Sequence, residues 1–381
     1  MTAHADLLAR RADYPVLAMS TYLASHTLGA MHRGTPAALA VYTGLWASRG
    51  VVAWETWAPE VRRVADLVGR LVGAPPGTTV LRQNVADLLG DVLLCLDWRG
   101  PRRVVTSALE WPGTLNTLSQ LPRLGAEVVV VPGSPDGVHL DLDAMVAAID
   151  GRTALVVCSH VLFRTSTLLD VAPLVARAHD VGALVMVDGY QAAGTVPVDV
   201  VALGVDLYLG GSVKYLSGGP GNGWMYVAPH VQLEPVTTGW FGTARPFDFD
   251  PELHLADGVH RFAGGTPGVA AAYAAAPAYE ALLEIGMDRV RERSVALTQP
   301  LLEGALERGF TVRSPRDPAR RGGHVTIDPG DAQRVHDELH RRGFVVDLRP
   351  GVGIRVSPHF YNSADEVTAV LDEMAAVLSG R

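Results

Sequence analysis

Two stretches read together decide the fold: Val185-Met-Val-Asp188-Gly-Tyr-Gln191-Ala-Ala-Gly194 and Asp206-Leu-Tyr-Leu-Gly-Gly-Ser212-Val213-Lys214-Tyr215. Each is a short apolar run that breaks into small and polar residues, the pattern of a buried strand ending in a turn. The first leaves a carboxylate, Asp188, at the carboxyl end of its strand, where ligands of open α/β sheets sit. The second leaves an amine, Lys214, in a small-residue turn two positions after the hydroxyl of Ser212. The cluster Gly218-Gly-Pro-Gly-Asn-Gly223 follows and precedes another strand. It lacks the Lys-Ser/Thr ending of a phosphate-binding P-loop and reads as a turn that lets backbone pass close to a bound group.

Outward from these stretches, short apolar runs alternate with amphipathic segments. Strands are predicted at Arg103–Thr106, Glu127–Val131, Ala154–Ser159, Ala183–Val187, Asp206–Leu209 and Trp224–Val227. Helices are predicted at Glu60–Val72, Val85–Leu96, Thr114–Leu124, Leu142–Ile149 and Val171–Asp180. The run Val128-Val129-Val130-Val131 is apolar on both faces, as buried parallel strands are. This alternation predicts an α/β fold with a mostly parallel central sheet. From about Pro267 the pattern changes to long helices (Val269–Ile285, Arg289–Glu307), strand-like runs (Phe310–Arg313, His324–Ile327, Phe344–Leu348, Gly353–Val356) and helices at Ala332–Arg342 and Ala364–Leu378. The expectation is a large domain over residues 45–266 and a smaller C-terminal α+β domain over 267–381, with residues 1–44 packing on the small domain. The Pro- and Arg-rich segment Ser314–Arg321 reads as an exposed loop.

Composition narrows the function. The chain has 381 residues, more than one compact core usually holds, with 48% hydrophobic and 19% charged residues, so it can bury a sizeable core. A net charge of −8 argues against nucleic acid or an anionic membrane surface as the main partner. The densest apolar run, Ala270–Ile285, is broken by Pro277 and Glu280, and Met1–Tyr14 lacks an apolar signal core. Cys95 and Cys158 allow one bridge at most. The expectation is a soluble, cytoplasmic protein. One count says more: of 32 basic residues, 31 are Arg and one is Lys, Lys214. A chain that has exchanged lysine for arginine elsewhere keeps it where arginine cannot serve, since only the lysine amine can lose its proton and attack a carbonyl. With Asp188 one strand earlier, able to hold a pyridinium nitrogen protonated, Lys214 makes the pairing that a pyridoxal 5'-phosphate (PLP) site needs.

These stretches resemble the fold-type-I PLP-dependent enzymes of the class-V aminotransferase superfamily, and within it the kynureninase-like branch. The resemblance runs collinearly from Tyr22 to Leu378 through Ser25-His-Thr-Leu-Gly29, Trp111-Pro-Gly-Thr114, Asp188–Gly194, Ser212–Leu216, Gly239-Trp-Phe-Gly242, Gly265-Thr-Pro-Gly268 and Gly353-Ile-Arg-Val-Ser-Pro with Tyr361-Asn-Ser363. Gly-Thr-Pro and Asp188-x-x-Gln191 look more like cysteine desulfurases. The resemblance implies that Lys214 forms the Schiff base and then moves protons at the substrate Cα, that Asp188 pairs with the pyridinium nitrogen and that Gln191 bonds the ring hydroxyl oxygen. Trp111 would stack on the ring. Gln83 and Asn84 would open a helix onto the phosphate, joined by Ser212, Trp240 and Thr266. Thr266 typically arrives from the partner subunit, which implies a homodimer with the site at the interface. Arg355 would clamp the substrate α-carboxylate. Position along the chain alone, beside the resemblance, makes His26, Arg164, His160, His359 and Tyr361 candidate substrate-pocket residues.

The departures are specific. Val213 stands where kynureninases have Tyr, Gln191 where they have His, Asn84 where they have Thr, Thr266 where they have Asn, and Val51 where a His helps hold the aryl ketone. The desulfurase reading lacks a nucleophilic Cys, since Asp347–Ile354 contains none. The resemblance thus implies a PLP-dependent enzyme acting on an α-amino acid, a small-molecule substrate, through an external aldimine and a Cα carbanion. A kynureninase-like lyase cleaving at the β-carbon (C–C or C–S) is favoured. A class-V aminotransferase, epimerase or cyclase of specialised metabolism is the alternative. A nucleotide-binding oxidoreductase is disfavoured, because no Gly-x-Gly-x-x-Gly opens the first strand–helix unit. His336 and His340, four apart on a helix crowded by Arg334, Arg341 and Arg342, read as a solvated face rather than a metal site.

Overall fold

The computed structural model describes residues 5–100 and 102–380. Seven strands form the large sheet: β1 (Thr79–Arg82), β2 (Arg103–Ser107), β3 (Glu127–Val131), β4 (Thr153–Ser159), β5 (Leu184–Asp188), β6 (Leu207–Gly211) and β7 (Gly223–Val227). Their order is β1-β7-β6-β5-β4-β2-β3. β7 runs antiparallel to both neighbours, and the other pairs are parallel. The middles of strands β4, β5 and β6 are apolar on both sides because both faces are covered: Leu155, Val156, Val185, Val187 and Leu207 have no exposed surface.

The valine run of β3 differs from its expected burial on both faces. It is the edge strand, paired with β2 alone, and Val130 is 48% exposed. Four successive valines fix strand geometry through their stiff β-branched side chains, but they carry no information on how many neighbours the strand has. The first strand, β1, is absent from the sequence expectations, as is the helix Thr35–Arg49, which is too uniformly apolar to show a face.

The small sheet holds β8 (Thr311–Val312), β9 (Val325–Asp328), β10 (Asp347–Arg349) and β11 (Gly353–Val356) in the antiparallel order β10-β11-β9-β8. The single strand expected at Phe344–Leu348 is split. Phe344–Val345 pairs in parallel with Thr21–Tyr22 of the N-terminal segment, while Asp347 turns into β10 opposite Arg355. The change of core falls inside the helix Met287–Glu307, after Val290, which still packs with the large sheet. Ala272, Ala275, Tyr279 and Leu282 of the helix Val269–Ile285 join the core of the large sheet, whereas Leu297, Leu301 and Ala305 of the helix Met287–Glu307 join Val325, Ile354 and Met374. The segment Ser314–Arg321 is not simply an exposed loop. Arg321 has no exposed surface, and its guanidinium donates to the Pro315 carbonyl at 2.6 Å and to Gln299 Oε1 at 2.7 Å, so that it pins the segment to the helix Met287–Glu307.

Candidate active site

The chain order reverses between β2 and β4, and strand ends beside such a switch point leave a crevice. The turns after β2, β4, β5 and β6 surround a cavity of about 310 Å³. Lys214 enters it from the turn after β6. Its Nζ lies 4.4 Å from the centre of the Tyr190 ring and 5.6 Å from that of Trp111, within cation–π range. Burial pushes the amine down to about 8, helped by Arg355 and Arg349, while Asp188 pulls the other way. Tyr190 can lie there because residue 211 is glycine: a Cβ would stand 2.2 Å from the Tyr190 ring.

Asp188 ends β5 and is buried. Its Oδ1 accepts the Tyr190 backbone N–H at 2.8 Å. Burial raises its carboxyl, opposed by that hydrogen bond and by Lys214. Gln191 donates from Nε2 to the His26 carbonyl at 3.2 Å, and its buried Oε1 has no partner. His26 has no exposed surface, and both its ring nitrogens lack partners. It stacks on His324 with ring centres 5.0 Å apart. Burial and the nearby Arg355 hold it well below the usual imidazole range, so it is neutral. Trp111, 42% exposed, lines the cavity and meets Phe163 edge-on at 5.0 Å.

The phosphate end is built by the helix Val85–Cys95. Asn84 is its cap, with Oδ1 accepting the Asp87 N–H at 2.9 Å, and Val85 and Ala86 line the cavity. Gln83 and Asn84 are themselves exposed. Gly223 brings β7 against this helix start, where a Cβ would meet the Asn84 backbone at 2.6 Å. The first turn of the helix therefore faces the space above Lys214 with unpaired N–H groups and the positive end of its dipole.

Several expected residues are placed elsewhere. Ser212 is fully buried, donates to the Asn222 carbonyl at 3.1 Å and pairs with the Tyr279 hydroxyl, so its oxygen is used within the turn rather than in the cavity. Trp240 and Thr266 meet each other, Nε1 donating to Oγ1 at 3.1 Å, but neither lines the cavity of its own chain. Arg164 is exposed over Phe163, outside the cavity. His160 pairs with the Tyr208 hydroxyl at 2.8 Å, His359 donates to the Tyr215 carbonyl at 3.1 Å and Tyr361 pairs with Ser25 at 2.8 Å, all as internal framework. Arg355, 1% exposed, lies on β11 at the cavity. Its Nε and Nη2 donate to Asp347 Oδ1 at 2.9 and 2.7 Å, and its Nη1 to the Phe163 carbonyl at 2.7 Å.

Four cavity or near-cavity residues were not among the expectations: Tyr190, Asp347, Arg349 and Glu110. Tyr190 lies inside the deciding stretch, two residues from Asp188. Asp347 and Arg349 alternate on one face of a strand, but an arginine is hard to single out among 31. Glu110, beside Trp111, is buried behind Ser159, with the Ser107 hydroxyl donating to Oε1 at 2.8 Å. Burial pushes it up to about 7. Among the described residues there is no group of three His, Cys, Asp or Glu suited to a metal, and no helix long and apolar enough to cross a membrane.

An amine under aromatic faces, a buried carboxylate, a partnerless amide oxygen and a helix start suit a phosphorylated pyridine aldehyde. Lys214 would meet its carbonyl carbon, Asp188 its ring nitrogen, Gln191 its ring oxygen and the Val85 turn its phosphate.

Residues 60–370 match the family described as aminotransferase class-V. The chain is 29% identical over 365 residues to an uncharacterized aminotransferase of Bacillus subtilis (strain 168), covering 95% of this chain and 96% of that one. It is 30% identical over 347 residues to a kynureninase of Pseudomonas fluorescens, covering 86% and 82%. A cysteine desulfurase structure from Thermococcus onnurineus NA1 superposes with a TM-score of 0.87 at 24% identity, covering 98% of each chain. A cystine C–S lyase bound to its product cysteine persulfide superposes with a TM-score of 0.87 at 21% identity, covering 95% and 99%.

Proposed function

The chain belongs to the class-V aminotransferase family, and from that premise we propose that it is a PLP-dependent lyase that acts on an α-amino acid and cleaves a bond at the β-carbon. PLP, the cofactor of this family, withdraws electrons from a substrate amine bound to it and so makes the Cα proton removable. Everything else falls to the protein. Lys214 Nζ takes the proton from Cα and returns it, and an amine with a pKa near 8 is partly unprotonated at neutral pH. The Asp188 carboxylate keeps a proton on the ring nitrogen. Trp111 and Tyr190 confine the reacting atoms between aromatic surfaces, and Arg355 holds the carboxylate end. The observation that carries the reading is that the only lysine of the chain stands on the cavity floor between these groups.

The kynureninase relatives favour β-carbon cleavage, and the cysteines disfavour desulfurase chemistry. Cys95 donates to the Asp91 carbonyl, Cys158 is fully buried in β4, burial raises both thiols, and neither lines the cavity. The aminotransferase reading is the second one, supported by the Bacillus subtilis relative. Product analysis separates them. A lyase splits kynurenine or a cysteine derivative into two fragments and keeps its cofactor as aldehyde. A transaminase yields the intact 2-oxo acid and leaves the cofactor aminated, which would overturn the lyase reading.

We also propose a homodimer. Trp240 packs with Trp54, Phe247 and Phe249 in an aromatic patch, and Phe249 is 74% exposed. A patch of this kind calls for a partner. A second copy that covers it would carry Trp240 and Thr266 toward the neighbouring cavity.

A further inference from the structure

The carboxylate end of the cavity contains more charge than one clamp requires. Two guanidiniums line it, Arg349 and Arg355. Between them stands Asp347, directly opposite Arg355 in the β10–β11 ladder. Asp347 Oδ1 accepts from Nε and Nη2 of Arg355, and its Oδ2 takes Arg349 Nη2 at 3.1 Å and the Thr27 hydroxyl at 3.0 Å. The Arg355 fork is therefore largely occupied within the protein. Arg349 is the freer of the two: its guanidinium carbon lies 6.0 Å from the Trp111 ring centre, facing the ring that Lys214 also faces, and its buried Nε has no partner. A buried guanidinium donor without an acceptor is costly and awaits one.

Counting formal charges at this end gives two positive groups and one negative, a surplus of one positive charge. His26, whose Nε2 lies 4.0 Å from Asp347 Oδ1, and His324, stacked on it, are both held well below the usual imidazole range by burial and by Arg355, and so add no charge. Lys214 and Asp188, the other charged residues of the lining, carry one charge of each sign and attract each other. The rest of the lining is apolar or uncharged, with Val85, Leu89, Val161 and Phe163 among it.

We propose that Arg349, Asp347 and Arg355 act as one specificity-determining unit that accepts a single carboxylate, and that the substrate is an α-amino acid whose side chain is uncharged. The inference rests on the proposed reading of the cavity as an amino-acid site. Arg349 supplies the free guanidinium edge, and Asp347 positions both arginines and removes the charge that would otherwise invite a second carboxylate. A side-chain carboxylate would enter an apolar cavity with no cation left to meet it, and an unpaired buried charge is strongly disfavoured.

The test uses isosteric pairs, L-asparagine against L-aspartate and L-glutamine against L-glutamate, with dissociation constants measured by calorimetry on the protein incubated with PLP. The inference expects the amides to bind at least tenfold more tightly than the acids. Asp347→Asn, which leaves two uncompensated guanidiniums, is expected to reverse or abolish that preference. Arg349→Gln, at a half-exposed position, is expected to weaken both amides at least tenfold while leaving the Lys214-bound cofactor absorbance unchanged, and it serves if Asp347→Asn fails to fold. Equal or tighter binding of the acids by the unaltered protein, or no effect of Arg349→Gln, would overturn the inference. Failure of the underlying reading looks different: no cofactor band develops, whatever the binding preference.

Discussion

At the scale of single residues, the account turns on what burial does to ionisable groups. The Lys214 amine, lowered to about 8 by desolvation, should react with an amine-directed reagent at a rate that rises between roughly pH 7 and 9 in the cofactor-free protein. A surface lysine would respond about two pH units higher. Lys214→Arg keeps the charge but cannot form an imine, and loss of the proton transfer alone should lower turnover by roughly 10²–10⁴-fold. Glu110 makes a separate prediction. Its carboxyl is raised from 4.5 to about 7, so the unfolded chain gives up this proton more readily than the folded one. The corresponding stability is present below pH 4.5 and is lost as the pH rises through 7. Glu110→Gln, which removes the ionisation, should raise the melting temperature relative to the parent at pH 8 and show no such advantage at pH 4; equal shifts at both would contradict the assignment. The deciding residues were legible because a sole lysine is a compositional anomaly. Arg349 was not, because abundance hides a functional arginine, and nothing in sequence shows that its Nε lacks a partner.

At the scale of elements, most helices and strands follow from periodicity, and the failures have physical causes. The strand β1 is four residues long and follows Pro75-Pro76-Gly77, so a turn signal masks it. The break at Val346 goes unseen because both halves of Phe344–Arg349 are extended and only their partners differ. Edge position is likewise a property of pairing, not of composition. This has a measurable consequence. Val130→Thr on the half-exposed edge strand should change stability by less than about 0.5 kcal/mol, whereas Val156→Ala in the fully buried β4 should cost about 2 kcal/mol in denaturant unfolding. Asn84→Ala removes the cap of the helix at the phosphate end and should cost about 1 kcal/mol. If the cap also orders that helix start for phosphate, the same variant binds PLP more weakly, seen in an equilibrium titration.

At the scale of the whole molecule, the large sheet holds the amine and carboxylate on neighbouring strand ends, while the small sheet supplies the arginines. The cavity therefore exists only where the two cores meet: Asp347, Arg349 and Arg355 come from β10 and β11, and Thr27 and His26 from the N-terminal segment that pairs beside them. Sequence patterns announced strands of both sheets but not this junction, since contacts across more than 300 residues, such as Thr27 to Asp347, leave no local trace. A second copy over the aromatic patch would complete the site. Phe249→Glu should then shift the mass by light scattering from dimer to monomer and weaken PLP retention, whereas an unchanged mass would place the interface elsewhere.

The most direct test of the central claim is borohydride reduction of the protein incubated with PLP, followed by peptide mapping. The account predicts a visible absorption band that disappears on reduction, with the phosphopyridoxyl label on the peptide carrying Lys214 and no band or label in Lys214→Ala. A protein that takes up no PLP, or one labelled at its N-terminal amine with Lys214 unmodified, would contradict it.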